Sequence, residues 1–152
     1  MPLTKALSIM LRKALLTLLA VQLSGCMTPP PDLDLSLTRT TTQKKYVVAI
    51  HPLADPIAIN QMHAWEVKVM SPAGAPVLQA QIEVDGGMPQ HGHGLPTRPR
   101  VTKELGDGRY LIEGMKFSMT GWWELKLNVR SAGVADTVTF NKVFVLPAPA
   151  KA

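Results

Sequence analysis

Short runs of alternating apolar and polar residues, separated by turn residues, dominate the chain from about residue 45 onward. A period of two places every second side chain on the same face of a strand, and no segment shows the 3.6-residue apolar period of an amphipathic helix. Trp65 and Trp123 each share a strand face with β-branched residues or leucines, so we expect both in the core. The strands are predicted over residues 46–51, 59–70, 77–84, 100–105, 109–113, 122–130 and 137–146. This pattern predicts an all-β fold, an immunoglobulin-like antiparallel β-sandwich of about seven strands.

The first 26 residues have the layout of a bacterial export signal. Three basic residues precede a short apolar run at residues 14–21, and Leu-Ser-Gly-Cys follows at residues 23–26. The run is too short to span a bilayer, and the four-residue sequence matches the lipobox, in which the signal is cut before the cysteine and the cysteine is lipidated. Cys26 is the only cysteine, so no intrachain disulfide can form. We expect residues 1–25 to be a lipoprotein signal peptide and Cys26 to carry the lipid.

The rest of the chain divides into three predicted parts. Residues 26–44 are rich in Pro, Thr and Asp, which favours an extended tether that holds the domain off the membrane. Residues 45–147 form the sandwich, and residues 148–152 form a short tail. The residue after the cysteine is Met27 rather than Asp, which resembles outer-membrane sorting in Gram-negative bacteria. We therefore expect a protein anchored on the extracytoplasmic side of a membrane, the outer membrane facing the periplasm.

The composition excludes some classes of function. The formal charge of +5 falls to +2 when the three basic residues of the predicted signal are removed, which gives little reason to expect nucleic-acid binding. No serine lies in a nucleophile elbow, the only cysteine is assigned to the lipid, and the carboxylates are few and scattered. We therefore expect no enzymatic activity.

Residues 88–94, with the sequence MPQHGHG, place a thioether and two imidazoles in what reads as a loop. In an extended backbone His91 and His93 point to the same side, roughly 6.6 Å apart at their Cα atoms. Soft sulfur and imidazole ligands suit copper better than magnesium or calcium. Core filling is the usual role of methionine, but it explains Met88 less well, because this methionine adjoins Pro89 in a polar loop. The pattern predicts part of a copper site.

Two further side chains complete the predicted ligand set. His63 shares a strand face with Trp65 near the start of its strand, where side chains approach the rim of a sandwich. Met119 lies in the break before the sixth predicted strand. A buried, hydrogen-bonded histidine is the alternative for His63, and His51 is a weaker candidate ligand at a strand end. The predicted metal ligands are His63, His91, His93 and Met119, with Met88 as an alternate.

Residues 62–129 resemble the YtkA-like/FixH family of small exported β-sandwich domains. The matching residues are 63–67, which open a strand with His, the MPxHxHG element at 88–94, residues 108–110, and the FxMxGxW element within 114–125. FixH-type members are linked to copper supply for respiratory oxidases, so the resemblance implies an accessory, metal-handling role with a copper-handling or respiratory-complex protein as partner. FixH proper is held by a transmembrane helix, whereas this chain has a lipobox.

The sequence leaves three functions open. The first is a copper-binding lipoprotein for copper delivery or buffering, with the His and Met ligands at one end of the sandwich. The second is a structural or protein-interaction module without metal, which docks onto an envelope complex through strand edges or the loop. The third is a small-ligand carrier that uses the rim around Trp122, which alternates off the predicted core face.

Overall fold

The fold is an antiparallel sheet that curls until its first and last strands meet. A computed structural model describes residues 28–145; the predicted signal peptide, Cys26 and the tail at 148–152 lie outside these residues. The strands are β1 (Thr38–Thr40), β2 (Val47–Pro52), β3 (His63–Met70), β4 (Gln81–Met88), β5 (His93–Gly94), β6 (Arg100–Gly106), β7 (Arg109–Met115), β8 (Gly121–Ser131) and β9 (Val134–Phe144). Residues 28–145 contain no helix with the length and apolarity of a membrane span.

The strand order is β1-β2-β3-β7-β6-β4-β8-β9, with β5 beside β4, and every neighbouring pair is antiparallel. The two outer strands of this order approach each other, because the backbone N–H of Thr42, just after β1, donates to the carbonyl of Thr137 in β9 at 2.8 Å. The sheet is therefore a nearly closed sandwich. The predicted all-β antiparallel fold is confirmed, with nine strands in place of about seven.

Alternation along the strands builds the core as the sequence predicted. On β3, Trp65 and Val67 are at most 1 % exposed, and on β8 Trp123 and Leu125 are equally buried. The intervening residues of both strands are intermediate or exposed. Because the side chains of a strand alternate between its faces, each strand contributes one apolar row to a shared interior.

Some predicted strand limits are wrong. The third strand, predicted over residues 77–84, is β4 at Gln81–Met88, because Gln79 has a φ of +53° that interrupts an extended chain. The second strand begins at His63 rather than at residue 59. Asn60 has a φ of +63°, and its backbone N–H donates a hydrogen bond to the carbonyl oxygen of Phe117 instead of to a neighbouring strand. The fifth strand runs through Gly114 to the end of β7 instead of breaking there.

Residues 38–44, assigned to the tether, are part of the folded sheet. Strand β1 pairs with β2, with Thr38 opposite Ala49 and Thr40 opposite Val47. The turn that follows is held by Asp136, whose carboxylate accepts from the backbone N–H groups of Gln43 and Lys45 at 2.9 and 3.2 Å. The folded domain therefore begins before residue 45.

Candidate metal-binding site

The segment at residues 88–94 is a tight β-hairpin, whereas the sequence predicted a loop. Met88 at the end of β4 pairs with His93 at the start of β5. The backbone N–H groups of His91 and Gly92 both donate to the carbonyl of Met88 at 3.0 Å. These bonds fix the turn and hold both histidines at one end of the sandwich.

Two glycines let this hairpin lie directly on its neighbours. A Cβ atom on Gly86 would overlap the carbonyl oxygen of Glu124 in β8, and one on Gly87 would overlap the carbonyl oxygen of His93. The predicted third strand ends at residue 84, before this pair. In the structure the glycines continue β4 and permit close backbone packing on both of its sides.

The imidazoles of His91 and His93 lie side by side, and both residues are exposed to solvent. Their ring centroids are 5.9 Å apart, with an interplanar angle of 35°. An ion bonded at about 2.0 Å to one nitrogen of each ring lies roughly 3 Å from each ring centre, so rings up to about 6 Å apart can share it. The observed separation fits a shared ion.

The environment of His93 favours one of its nitrogens as a ligand. Its Nδ1 lies 3.3 Å from the carbonyl oxygen of Gly94, and a carbonyl can only accept, so this contact places the ring proton on Nδ1. Nε2 then carries the lone pair. The ring stands edge-on to the buried indole of Trp123, with centroids 5.8 Å apart and an interplanar angle of 69°.

Met88 is a core residue, contrary to the expectation that its place in a polar loop made core filling a weak explanation. It is 1 % exposed, and its terminal methyl group packs against Gly121. Opposite residues in an antiparallel pair have Cβ atoms about 4.5–5.5 Å apart on the same face. Met88 therefore adjoins His93 across the hairpin while its thioether belongs to the interior.

His63 has polar and aromatic partners of its own at the same end of the sandwich. The indole Nε1–H of Trp65 donates to Nδ1 of His63 at 3.3 Å, and Phe117 stacks on the imidazole at 5.5 Å between centroids. Nδ1 as an acceptor places the ring proton on Nε2. Nε2 is buried and has no hydrogen-bond partner within residues 28–145. Burial lowers the pKa of His63 below its ordinary value.

An aromatic cluster connects these groups, and sequence reasoning missed it. Phe117 is fully buried and contacts Trp65, Trp123 and Phe144, with centroid distances of 6.3, 5.2 and 4.5 Å. It thus stands in the chain of ring contacts that runs from His63 to His93. The FxMxGxW element contains both Phe117 and Trp123, and this spacing was the one available signal.

Met119 is half-buried against this cluster, and its carbonyl oxygen accepts from the indole N–H of Trp123 at 3.0 Å. The topology thus brings all five predicted ligands to the same end of the sandwich. Within residues 28–145, no three His, Cys, Asp or Glu side chains are grouped closely enough to hold a metal ion. A site built here needs methionine sulfur beside the paired imidazoles, or a metal that accepts two ligands.

The two weaker candidates have other neighbours. His51 is exposed on β2, opposite Glu66. Trp122 is half-buried, and its indole N–H donates to Oδ1 of Asn141 at 3.0 Å, so its polar edge has a partner within the protein.

A pocket beside the hairpin contains charged residues that sequence reasoning did not single out. It has a volume of about 280 Å³ and is lined by His93 together with Asp85, Glu124 and Lys126. Lys126 Nζ lies 3.0 Å from Glu124 Oε2. Asp85, Glu124 and Lys126 lie on the faces of β4 and β8 that point away from the core. The alternation of these strands was the only feature of the sequence that indicated their position.

Comparisons with known proteins agree with this architecture. A crystal structure of a DUF4426 family protein from Pseudomonas aeruginosa PAO1 is similar in fold, with a TM-score of 0.52 and 19 % identity over 70 % of this chain and 94 % of that one. A comparison with curated proteins finds no matching sequence. The model of the YtkA-like family matches residues 40–128, which is more than half of the chain and includes the hairpin and every residue of the aromatic cluster except Phe144. The chain belongs to the YtkA-like family.

Proposed function

We propose that this protein is an extracytoplasmic, lipid-anchored accessory protein that binds copper at the hairpin end of its sandwich, for copper delivery or buffering. The observation that carries the proposal is the pair of exposed imidazoles of His91 and His93, with ring centroids 5.9 Å apart on the hairpin of β4 and β5. A surface pair held by backbone pairing and by a buried aromatic face is pre-organised to take a metal ion. Such a site binds and releases an ion without chemical conversion, so the proposed role is not enzymatic.

Copper is the metal that suits the available donors. Thioether sulfur is a soft ligand that selects Cu(I), and imidazole also suits copper. Cu(I) accepts low coordination numbers as well. His91 and His93 would bind first, and the sulfur of Met88 or Met119 would join after a side-chain rotation. His63 presents a proton at Nε2 while Trp65 donates to its other nitrogen, so it would become a ligand only if that hydrogen bond broke.

The membrane anchor and the partner are proposed from sequence features alone. Lipidation at Cys26 would hold the domain on the extracytoplasmic side of a membrane, which in a Gram-negative host would be the outer membrane facing the periplasm. The resemblance to FixH-type proteins supports a copper-handling protein or a respiratory complex as the recipient of the metal.

A competition titration tests copper binding. The tag-free chain from residue 28, which lacks the Cys26 thiol, is titrated with Cu(I) against a chromogenic chelator. We expect His91→Ala/His93→Ala to weaken binding by more than about 100-fold, since even loss of a residue that merely orients a ligand costs about 10- to 100-fold. His51→Ala, an exposed histidine on β2, is the matched control and should bind as the wild type does. Equal competition by the double variant and the wild type would refute the copper proposal.

A metal-free interaction module is the second candidate. One finding favours it: in the part of the chain that the structure describes, no three His, Cys, Asp or Glu side chains lie close enough together to hold a metal ion. In that case the hairpin would be a docking element for an envelope protein. A stoichiometric partner that co-purifies equally well with and without a copper chelator would support this function over the first.

A further inference from the structure

The N-terminal segment enters the domain at the hairpin. The carbonyl oxygen of Thr28 accepts a hydrogen bond from the side-chain amide of Gln90, in the turn between β4 and β5, at 2.8 Å. Cys26 is two residues upstream, and consecutive Cα atoms are about 3.8 Å apart. The attachment point of the predicted lipid therefore lies within roughly 8 Å of Thr28.

Other bonds keep this segment on the domain. The side-chain amide of Asn141 in β9 donates to the carbonyl of Asp34 at 3.0 Å, and the N–H of Ile50 in β2 donates to the carbonyl of Leu37 at 2.8 Å. The residues predicted to be a spacer are thus bonded to the sheet at several points. A lipid on Cys26 would draw the hairpin end, rather than an arbitrary face, toward the bilayer.

The hairpin end also presents apolar side chains to solvent. Leu53 follows the end of β2, Met62 precedes the start of β3, and Val145 follows the end of β9, with exposures of 54, 62 and 78 %. The connections at residues 53–62, 89–92, 95–99 and 116–120 carry only three charges, Asp55, Arg98 and Lys116, so few charged groups are desolvated at a lipid surface.

Apolar exposure does not select this end by itself. Leu78 and Val134, at the opposite end, are 53 and 42 % exposed. The path of the chain distinguishes the two ends, because Thr28 contacts the hairpin turn. The long strand β8, with 11 residues, separates the ends by roughly 35 Å.

We propose that the hairpin end faces the lipid bilayer and rests on it through Leu53, Met62 and Val145, with Thr28 and Gln90 fixing this orientation. The inference rests on the lipid anchor of the proposed function. It assigns a membrane-contact surface and places His91 and His93 at the membrane side of the domain.

Site-specific quenching in vesicles tests the orientation. The full-length lipidated protein is reconstituted in phosphatidylcholine vesicles that contain headgroup spin-labelled phosphatidylcholine. A lipidated Cys26 has no free thiol, so a single introduced cysteine takes a fluorescent label. Met62→Cys reports on the hairpin end and Val134→Cys on the opposite end. We expect several-fold stronger quenching at position 62.

Two matched variants test the hydrogen bond between Gln90 and Thr28. Gln90→Ala removes the bond to Thr28, and we expect it to reduce the difference in quenching between the two positions. Gln43→Ala, an exposed glutamine in the turn between β1 and β2 at the far end, should leave that difference unchanged. If Gln90→Ala left the quenching difference between positions 62 and 134 unchanged, the Gln90–Thr28 hydrogen bond would not set the orientation.

The two proposals fail in distinguishable ways. Equal quenching at positions 62 and 134, with the lipid confirmed by mass spectrometry, would overturn the orientation and leave the anchor intact. Absence of a lipid mass on Cys26 would overturn both the anchor and the orientation. Neither outcome depends on the copper titration, which uses a chain without Cys26.

Discussion

His63 has features of both roles that the sequence left open for it, a metal ligand at the rim and a buried, hydrogen-bonded histidine. It lies at the predicted rim, yet its Nδ1 has a hydrogen-bond partner and its ring stacks on Phe117. The buried Nε2 has no partner within residues 28–145, and an unpaired buried donor costs free energy. Protonation would add a charge where burial already disfavours it, which is why the pKa of His63 is lowered.

We predict that stability falls as the pH drops below the ordinary pKa of histidine, about 6.5. In this range the unfolded chain takes up a proton at position 63 that the folded chain resists, so unfolding becomes more favourable. The contribution of His63 is fully present above about pH 6.5 and is lost as the pH falls toward the lowered pKa of the folded state. Urea unfolding at pH 7.5 and 5.0 should show the decrease.

His63→Gln, which cannot titrate, should remove most of this decrease. His51→Gln, at an exposed histidine on β2, should retain it. If both variants kept the full decrease, the pH dependence would belong to other groups.

The hairpin of β4 and β5 is the element on which the candidate site depends. Its shape follows from backbone contacts at Gly86 and Gly87, where a side chain would overlap neighbouring carbonyl oxygens. The predicted third strand stops at residue 84, before these glycines, because glycine marks both turns and close approaches. Only the position of β8 and β5 beside them distinguishes the two roles.

We predict that Gly87→Ala destabilises the domain and weakens copper binding, because the new methyl group must displace the backbone at His93. Overpacking of this kind costs about 1–3 kcal/mol, which urea unfolding can measure. Gly94→Ala is the matched control, since its added Cβ would make only an ordinary contact, 3.4 Å from the carbonyl oxygen of Gly86. Equal stability of the two variants would contradict the close-packing explanation.

At the scale of the whole molecule, closure of the sheet depends on residues before the predicted domain start. Thr42 bonds the carbonyl of Thr137, and Asp136 accepts from the turn that follows β1. Burial alone raises the pKa of the Asp136 carboxyl, but hydrogen bonds from Thr41 and from nearby backbone N–H groups outweigh it and lower the pKa. The Asp136 carboxylate thus connects the last strand to the turn that follows the first strand.

We predict that a chain starting at residue 45 is markedly less stable than one starting at residue 28. The shorter chain loses β1 and at least three hydrogen bonds to β2 and β9, each worth about 1 kcal/mol, and it exposes the edge of β2. Urea midpoints of the two chains at neutral pH provide the measurement. Equal midpoints would show that residues 28–44 only tether the domain.

Much of the fold was predictable because its signal is local. The apolar row of β8, including Trp123 and Leu125, is visible in the sequence because alternation follows directly from strand geometry. The placement of the candidate ligands was predictable only in outline. Alternation suggested a common rim for His63 and the hairpin, but the interposed ring of Phe117 depends on how distant strands pack.

The sequence by itself determined the fold class, the buried faces of the main strands and the pairing of His91 with His93 at a spacing of two residues, since all of these are set by neighbours along the chain. The tertiary structure decided that Met88 is buried, that His63 bonds Trp65, and that residues 38–44 close the sheet. Each of these depends on contacts between residues far apart in sequence, which local patterns do not encode.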